Sequence, residues 1–221
     1  MKIAFGSLGL AAVPQKTAAA EAMENTRLEP GLPRPSAGAL RLAAQLSAQI
    51  APEHPSQVLL FAPTAAASAS RVLFETGVAL VDLNRAPVLL VSLRQTNEEL
   101  RSHCAASMRL GKLFDHRPWI IEGVAAFALA RLEDPKADLL RAMSLDFPAL
   151  LQAARKRFTC ILLDCDPVDQ NVAGLLAATH SHGVVLAVPA GTATVAEVQQ
   201  AQAAFARTNA KVLGFVLDEN R

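Results

Sequence analysis

The chain has 221 residues, of which 52% are hydrophobic and 19% charged, and its net charge is +1. This length suits one domain with a substantial buried core, and this composition excludes a disordered protein. A net charge near zero gives no global field for nucleic acid or an anionic membrane, so we expect no nucleic-acid partner. The three cysteines form no C-x-x-C pair, which favours buried thiols over a zinc site or a disulfide framework.

The first 35 residues are predicted to be a segment separate from the domain. Met1–Val13 is apolar, but it has one cation and is interrupted by two glycines, so it is a poor signal peptide and more typical of a strand or a docking segment. Pro14–Ser36 is rich in Ala, Glu and Pro without an apolar period, which indicates a linker. We therefore assign residues 36–221 to one domain and expect it in the cytoplasm.

From residue 39 onward, short apolar runs alternate with helical patterns. Continuous Val/Leu runs separated by helices are typical of parallel strands buried on both faces. The sequence therefore predicts an α/β fold with a doubly wound, mostly parallel sheet. Strands are predicted at 58–62, 88–91, 123–129, 160–164, 184–188 and 212–217, and helices at 39–50, 65–83, 97–110 (with Thr96 as N-cap), 138–143, 147–157, 170–179 and 195–207.

Three apolar strands in the second half of the chain, taken in order, are more informative about the fold family than any one of them alone. Phe158–Val168 reads FTCILLDCDPV, with an aspartate leading into a Pro-Val turn, and His182–Val188 and Lys211–Asp218 are the next two apolar strands. This series resembles the catalytic domain of the bacterial tyrosine kinases of capsule and exopolysaccharide systems, which belong to the ParA/MinD-type P-loop ATPases. In this resemblance Phe158–Val168 corresponds to the Walker B strand. The resemblance implies a P-loop NTPase-like three-layer sandwich.

The resemblance places a nucleotide site at the loop after the first strand, residues 62–71, which read APTAAASASR. A P-loop uses glycines to wrap its backbone around phosphates, a lysine for the β- and γ-phosphates, and Ser or Thr for magnesium. When the loop is aligned with the P-loop of this family, Ala66 and Ser68 stand at glycine positions, Ala69 at the position of the lysine and Ser70 at that of the magnesium ligand. Since only Ser70 keeps its type, we predict a degenerate nucleotide site.

A helix is predicted to fill the vacated phosphate space. Alanine is the best helix former and Thr64 can cap its own helix, so the helix should begin within about two residues of Ala65. Arg71 is predicted to face solvent rather than to replace the lysine. With Arg71 and Arg94 nearby, a carboxylate such as Asp164 would pair with one of them.

The other two strand ends carry few acids. Where the family has an Asp-x-Asp pattern, the chain reads Ser92-Leu-Arg94. Asp164 and Asp166 are retained after the third strand end; they could hold magnesium, but capping of the next helix is favoured. We therefore predict no catalytic residue, no metal and no cofactor, and a degenerate site made of Thr64, Ala66, Ser68, Ala69, Ser70, Ser92, Asp164 and Asp166.

The resemblance and the lost site together predict a catalytically inactive pseudo-kinase. The chain has no tyrosine, so the tyrosine cluster that such kinases phosphorylate on themselves cannot exist. We predict a cytoplasmic scaffold or regulator of an exopolysaccharide synthesis or export complex, peripheral to the inner membrane through its protein partners, with a homodimer left open. Two alternatives remain: a MinD-like positioning adaptor of a pilus or flagellar system, and a residual nucleotide-binding ATPase that uses Ser70, Asp164 and Asp166.

Overall fold

The computed structural model describes residues 32–49, 56–64, 68–84, 86–94, 98–108, 110–124, 126–134 and 138–218. None of the helices in these ranges has the length and apolar character needed to cross a bilayer. In chain order the elements are α1 (Ala37–Gln49), β1 (Gln57–Pro63), α2 (Ser70–Asn84), β2 (Val88–Ser92), α3 (Glu98–Ser107), β3 (Lys112–His116), β4 (Trp119–Val124), β5 (Phe127–Leu132), α4 (Leu139–Leu145), α5 (Phe147–Ala154), β6 (Cys160–Asp164), α6 (Ala173–Ala178), β7 (Gly183–Pro189), α7 (Val195–Ala206) and β8 (Val212–Asp218).

The strands form one eight-stranded sheet in the order β3-β4-β5-β2-β6-β1-β7-β8. From β5 to β8 all neighbours are parallel, and β3, β4 and β5 are joined antiparallel. The parallel strands are buried along their whole length in β1, β2, β6 and β7, apart from the half-buried Gln57. The predicted doubly wound, mostly parallel α/β sheet is confirmed.

Helices cover both faces of the sheet, which makes three layers. On one face α4 to α7 pack against alternate strand residues such as Leu60 and Leu89. On the other face α1, α2 and α3 pack against their neighbours, such as Leu59 and Leu90. Adjacent residues of one strand thus enter opposite cores, which is why the strands are apolar at every position.

The antiparallel edge is where the strand prediction was wrong. One strand was predicted over 123–129, but the chain crosses this region as two strands, β4 and β5, with β3 before them. Burial in β4 alternates, and Glu122 on it forms an ion pair with Arg131 of β5 at 3.1 Å. Glu122 on the half-buried face of β4 interrupts the continuous apolar run by which the other strands were found.

Several helices are shorter than predicted. α3 ends at Ser107 rather than near Leu110, α5 at Ala154 rather than Arg157, and α6 covers only Ala173–Ala178. The predicted cap Thr96 lies outside the described residues, as do most of the predicted linker and all of Met1–Val13. At α1, Ser36 Oγ accepts the backbone N–H of Ala39 at 3.2 Å, so the helix begins two residues earlier than predicted.

Candidate functional site

Three parallel strands bring their carboxyl ends together at one edge of the sheet. β6 lies between β2 and β1. Ser92 at the end of β2 is in register with Asp164 at the end of β6, and Asp164 is also in register with Phe61 of β1. The sequence prediction that these strand ends form one site therefore agrees with the topology.

The helix that follows β1 begins later than the sequence predicts. α2 begins at Ser70, and neither Ser68 nor Ala69 is helical; Ala66 lies outside the described residues. Thr64 is not a helix cap: its N–H donates to Ala187 O of β7 at 3.0 Å and its hydroxyl to the same oxygen at 3.5 Å. Instead Ser68 Oγ accepts the N–H of Ser70 at 3.1 Å.

Ala69 is the residue directly before α2. Ala69 is fully buried in the core between α2 and the sheet, and its carbonyl accepts the N–H of Leu73 at 2.9 Å. Helix propensity differs among ordinary residues by less than about 1 kcal/mol, so tertiary contacts override it. At the position aligned with the phosphate-binding lysine, the chain therefore places a methyl group in the core.

Ser70 and Asp164 form a hydrogen bond inside the protein. The Ser70 hydroxyl donates to Asp164 Oδ2 at 2.5 Å, and both side chains are fully buried. Asp164 Oδ1 has no hydrogen-bond partner among the described residues, and neither does Oγ of its strand neighbour Ser92. Burial raises the pKa of Asp164 to about 7, against the lowering effects of the Ser70 hydrogen bond and the positive charge of Arg94.

Arg94 reaches across the site from the end of β2. Its Nε lies 3.1 Å from Asp166 Oδ1, and its Nη1 lies 3.3 Å from Ser70 Oγ and 3.3 Å from Glu99 Oε2. The same Nη1 also donates to Ser68 Oγ. The arginine side chain is 15% exposed. The predicted carboxylate–arginine contact is thus made by Asp166, whereas Asp164 takes the Ser70 hydroxyl.

Arg71 has a partner that the sequence did not suggest. Its Nη2 lies 2.6 Å from Oδ1 of Asp218, the last residue of β8, and the hydrogen bond raises the pKa of the guanidinium. The arginine side chain is 41% exposed, whereas that of Asp218 is buried. The prediction that Arg71 faces solvent agrees with this exposure, but the sequence did not predict the ion pair with the buried carboxylate of Asp218.

Comparisons with solved structures find the same architecture in bacterial kinase domains. The kinase domain of Escherichia coli tyrosine kinase ETK superimposes with a TM-score of 0.63 at 13% identity, over 88% of this chain and 84% of that one. The VpsO kinase domain gives a TM-score of 0.62 at 13% identity, over 83% and 96%. The chain has the P-loop NTPase-like fold.

A second group of solved structures shares this fold with the chain. Mycobacterium smegmatis cobyrinic acid a,c-diamide synthase with bound ATP analog and magnesium gives a TM-score of 0.55 at 16% identity, over 73% and 74% of the two chains. No protein-family model and no curated protein matches the sequence. At such identities the likeness establishes the fold alone, so the function has to be argued from the site.

Proposed function

We propose that this chain is a catalytically inactive P-loop NTPase-like protein that acts by binding other proteins. The observation that carries the proposal is Ala69. At the position aligned with the phosphate-binding lysine it offers a methyl group, which is fully buried. A nucleoside triphosphate needs a cation there to offset the charge of its β- and γ-phosphates.

Several of the remaining polar groups of the site bond to one another. The Ser70 hydroxyl, aligned with the magnesium ligand, donates a hydrogen bond to Asp164. The charge of Arg94 is balanced by Asp166 and Glu99. Binding of magnesium and phosphate would have to break these contacts, which supports an inactive site.

The cellular role is proposed from the resemblance to the kinases of capsule and exopolysaccharide systems. We place the protein on the cytoplasmic side of an exopolysaccharide synthesis or export complex, held at the inner membrane by protein partners. Residues 36–221 form the pseudo-ATPase domain in this proposal, and residues 1–35 a separate segment. The lack of tyrosine supports a scaffold or regulator rather than a kinase.

The purified protein is expected to show no ATP hydrolysis and no heat of binding at millimolar ATP with magnesium. The reason is the missing lysine at Ala69. Isothermal titration calorimetry checks this, with the ETK kinase domain as the positive control. A magnesium-dependent binding isotherm would contradict the proposal and support a residual nucleotide-binding enzyme.

A genetic test addresses the scaffold role. Deletion of the gene should reduce exopolysaccharide output, and a copy with Asp166→Asn should restore it fully. The amide oxygen of Asn can still accept the hydrogen bond from Arg94, whereas a magnesium site would lose one of its carboxylates. Polymer is quantified with protein levels matched by immunoblot. An Asp166→Asn protein present at normal level but as defective as the deletion would argue for a catalytic site. Lost piliation or motility with unchanged polymer would instead support a positioning adaptor.

A further inference from the structure

The guanidinium of Arg94 lies where the polar groups of three elements converge. It contacts Asp166 after β6, Ser68 and Ser70 at the start of α2, and Glu99 in the first turn of α3. Both the arginine and Asp166 are largely shielded from water, at 15% and 13% side-chain exposure. A charged group at such a site is retained only where an opposite charge and hydrogen bonds offset its desolvation.

The groups around Arg94 are hard oxygen donors. Carboxylates, hydroxyls and water are the ligands that suit magnesium and manganese. One further feature points to a ligand: Asp164 Oδ1 is fully buried and has no hydrogen-bond partner among the described residues. Its other oxygen is linked through Ser70 Oγ to the same guanidinium. The site thus combines the oxygens of Ser70, Asp164 and Asp166 with a cation that the chain itself supplies, the guanidinium of Arg94.

We propose that Arg94 is a built-in cation that closes a latent divalent-metal site formed by Ser70, Asp164 and Asp166. Its guanidinium contacts Ser70 Oγ through Nη1 at 3.3 Å and Asp166 Oδ1 through Nε at 3.1 Å, so the positive charge lies among the oxygens that would bind the metal ion. Because the guanidinium is covalently attached, it holds this position without the association cost that a free ion meets. This inference rests on the proposed function, since it concerns the same inactive site.

Arg94→Ala in the full chain should bind Mn²⁺ in the absence of nucleotide. We expect an affinity at least about tenfold tighter than that of the unmodified protein, measured by electron paramagnetic resonance titration of free Mn²⁺. Arg71→Ala is the matched control, since it removes a neighbouring arginine whose partner is Asp218. It should bind Mn²⁺ no better than the unmodified protein. Adding Asp166→Asn to Arg94→Ala should weaken the gained binding by about 10- to 100-fold.

A second measurement tests the inference even where Arg94→Ala folds poorly. Arg94→Gln keeps a hydrogen-bonding side chain without the charge. The melting temperature of this variant should rise on addition of Mn²⁺. It should also be higher in guanidinium chloride at low millimolar concentration than in sodium chloride at the same concentration. The unmodified protein should show neither rise. The inference is overturned if folded Arg94 variants bind Mn²⁺ no better than Arg71→Ala, or if the unmodified protein binds it equally well. Either result can be distinguished from failure of the proposed function, because the proposed function fails only if the unmodified protein binds ATP.

Discussion

Ala69→Lys is expected to lower the free energy of unfolding by about 2–4 kcal/mol and to leave ATP hydrolysis undetectable. Ala69 is fully buried against the apolar residues of the core between α2 and the sheet. A lysine there either buries its ammonium group or forces the start of α2 apart. Chemical denaturation monitored by circular dichroism measures the loss of stability.

The control for this substitution is Ala203→Lys, the same chemical change on the exposed face of α7. It should alter stability by no more than about 0.5 kcal/mol. Equal stability of the two variants, or a melting temperature of Ala69→Lys at or above that of the parent, would contradict the buried position of Ala69.

Restoring the whole loop should not restore activity either. The triple variant Ala66→Gly, Ser68→Gly and Ala69→Lys still has Ser92 and Arg94 at the second strand end, without an acid. We expect the triple variant to be less stable than Ala69→Lys alone. The reason at Ser68 is not the cost of glycine in a helix, since Ser68 precedes α2; it is the loss of its contacts with Ser70 and Arg94. Measurable hydrolysis by this variant would show that the second strand end needs no carboxylate.

The parallel part of the fold could be predicted because four of its strands, β1, β2, β6 and β7, are buried on both faces. Cys160–Asp164 was predicted with both of its ends correct, and α7 to within one residue. In α7 the sequence contains its own start signal, since Thr194 and Glu197 form a reciprocal capping box. The antiparallel strands were missed because Glu122 interrupts the apolar run of β4, and only the pairing with Arg131 explains its place there.

The sequence predicts which of the site residues lie close together, but not the contacts that they make. The strand-end rule brings Ser70, Ser92 and Asp164 together correctly, because it depends on topology alone. The start of α2 was misjudged because alanine propensity is a weak preference, whereas Ser68 Oγ accepts the N–H of Ser70 just before the helix. Glu99 was missed as well, although an acid in the first turn of the helix after Arg94 is a usable signal.

Ser70→Ala should lower the free energy of unfolding by about 1.5–3 kcal/mol, since it removes the hydrogen bond donated to a buried carboxylate. Asp164 Oδ1 already has no partner among the described residues, so the variant leaves the carboxylate without the 2.5 Å bond to its other oxygen. Because that bond lowers the pKa of Asp164 against the raising effect of burial, it favours the ionised form. The loss should therefore be larger at about pH 8 than at about pH 6.

A double-mutant cycle separates this structural role of Ser70 from a retained metal ligand. Asp164→Asn should cost less than Ser70→Ala, because the amide oxygen still accepts the hydroxyl and no charge is buried. In the Asp164→Asn background the cost of Ser70→Ala should fall to about 1 kcal/mol, the value of a neutral hydrogen bond. Ser102→Ala, on the exposed face of α3, is the matched control and should be close to neutral. If Ser70 were kept for magnesium, Ser70→Ala would instead resemble Ser102→Ala in stability. It would also abolish a rise in melting temperature that magnesium causes in the unmodified protein. These two results together would refute the inactive site proposed for this chain.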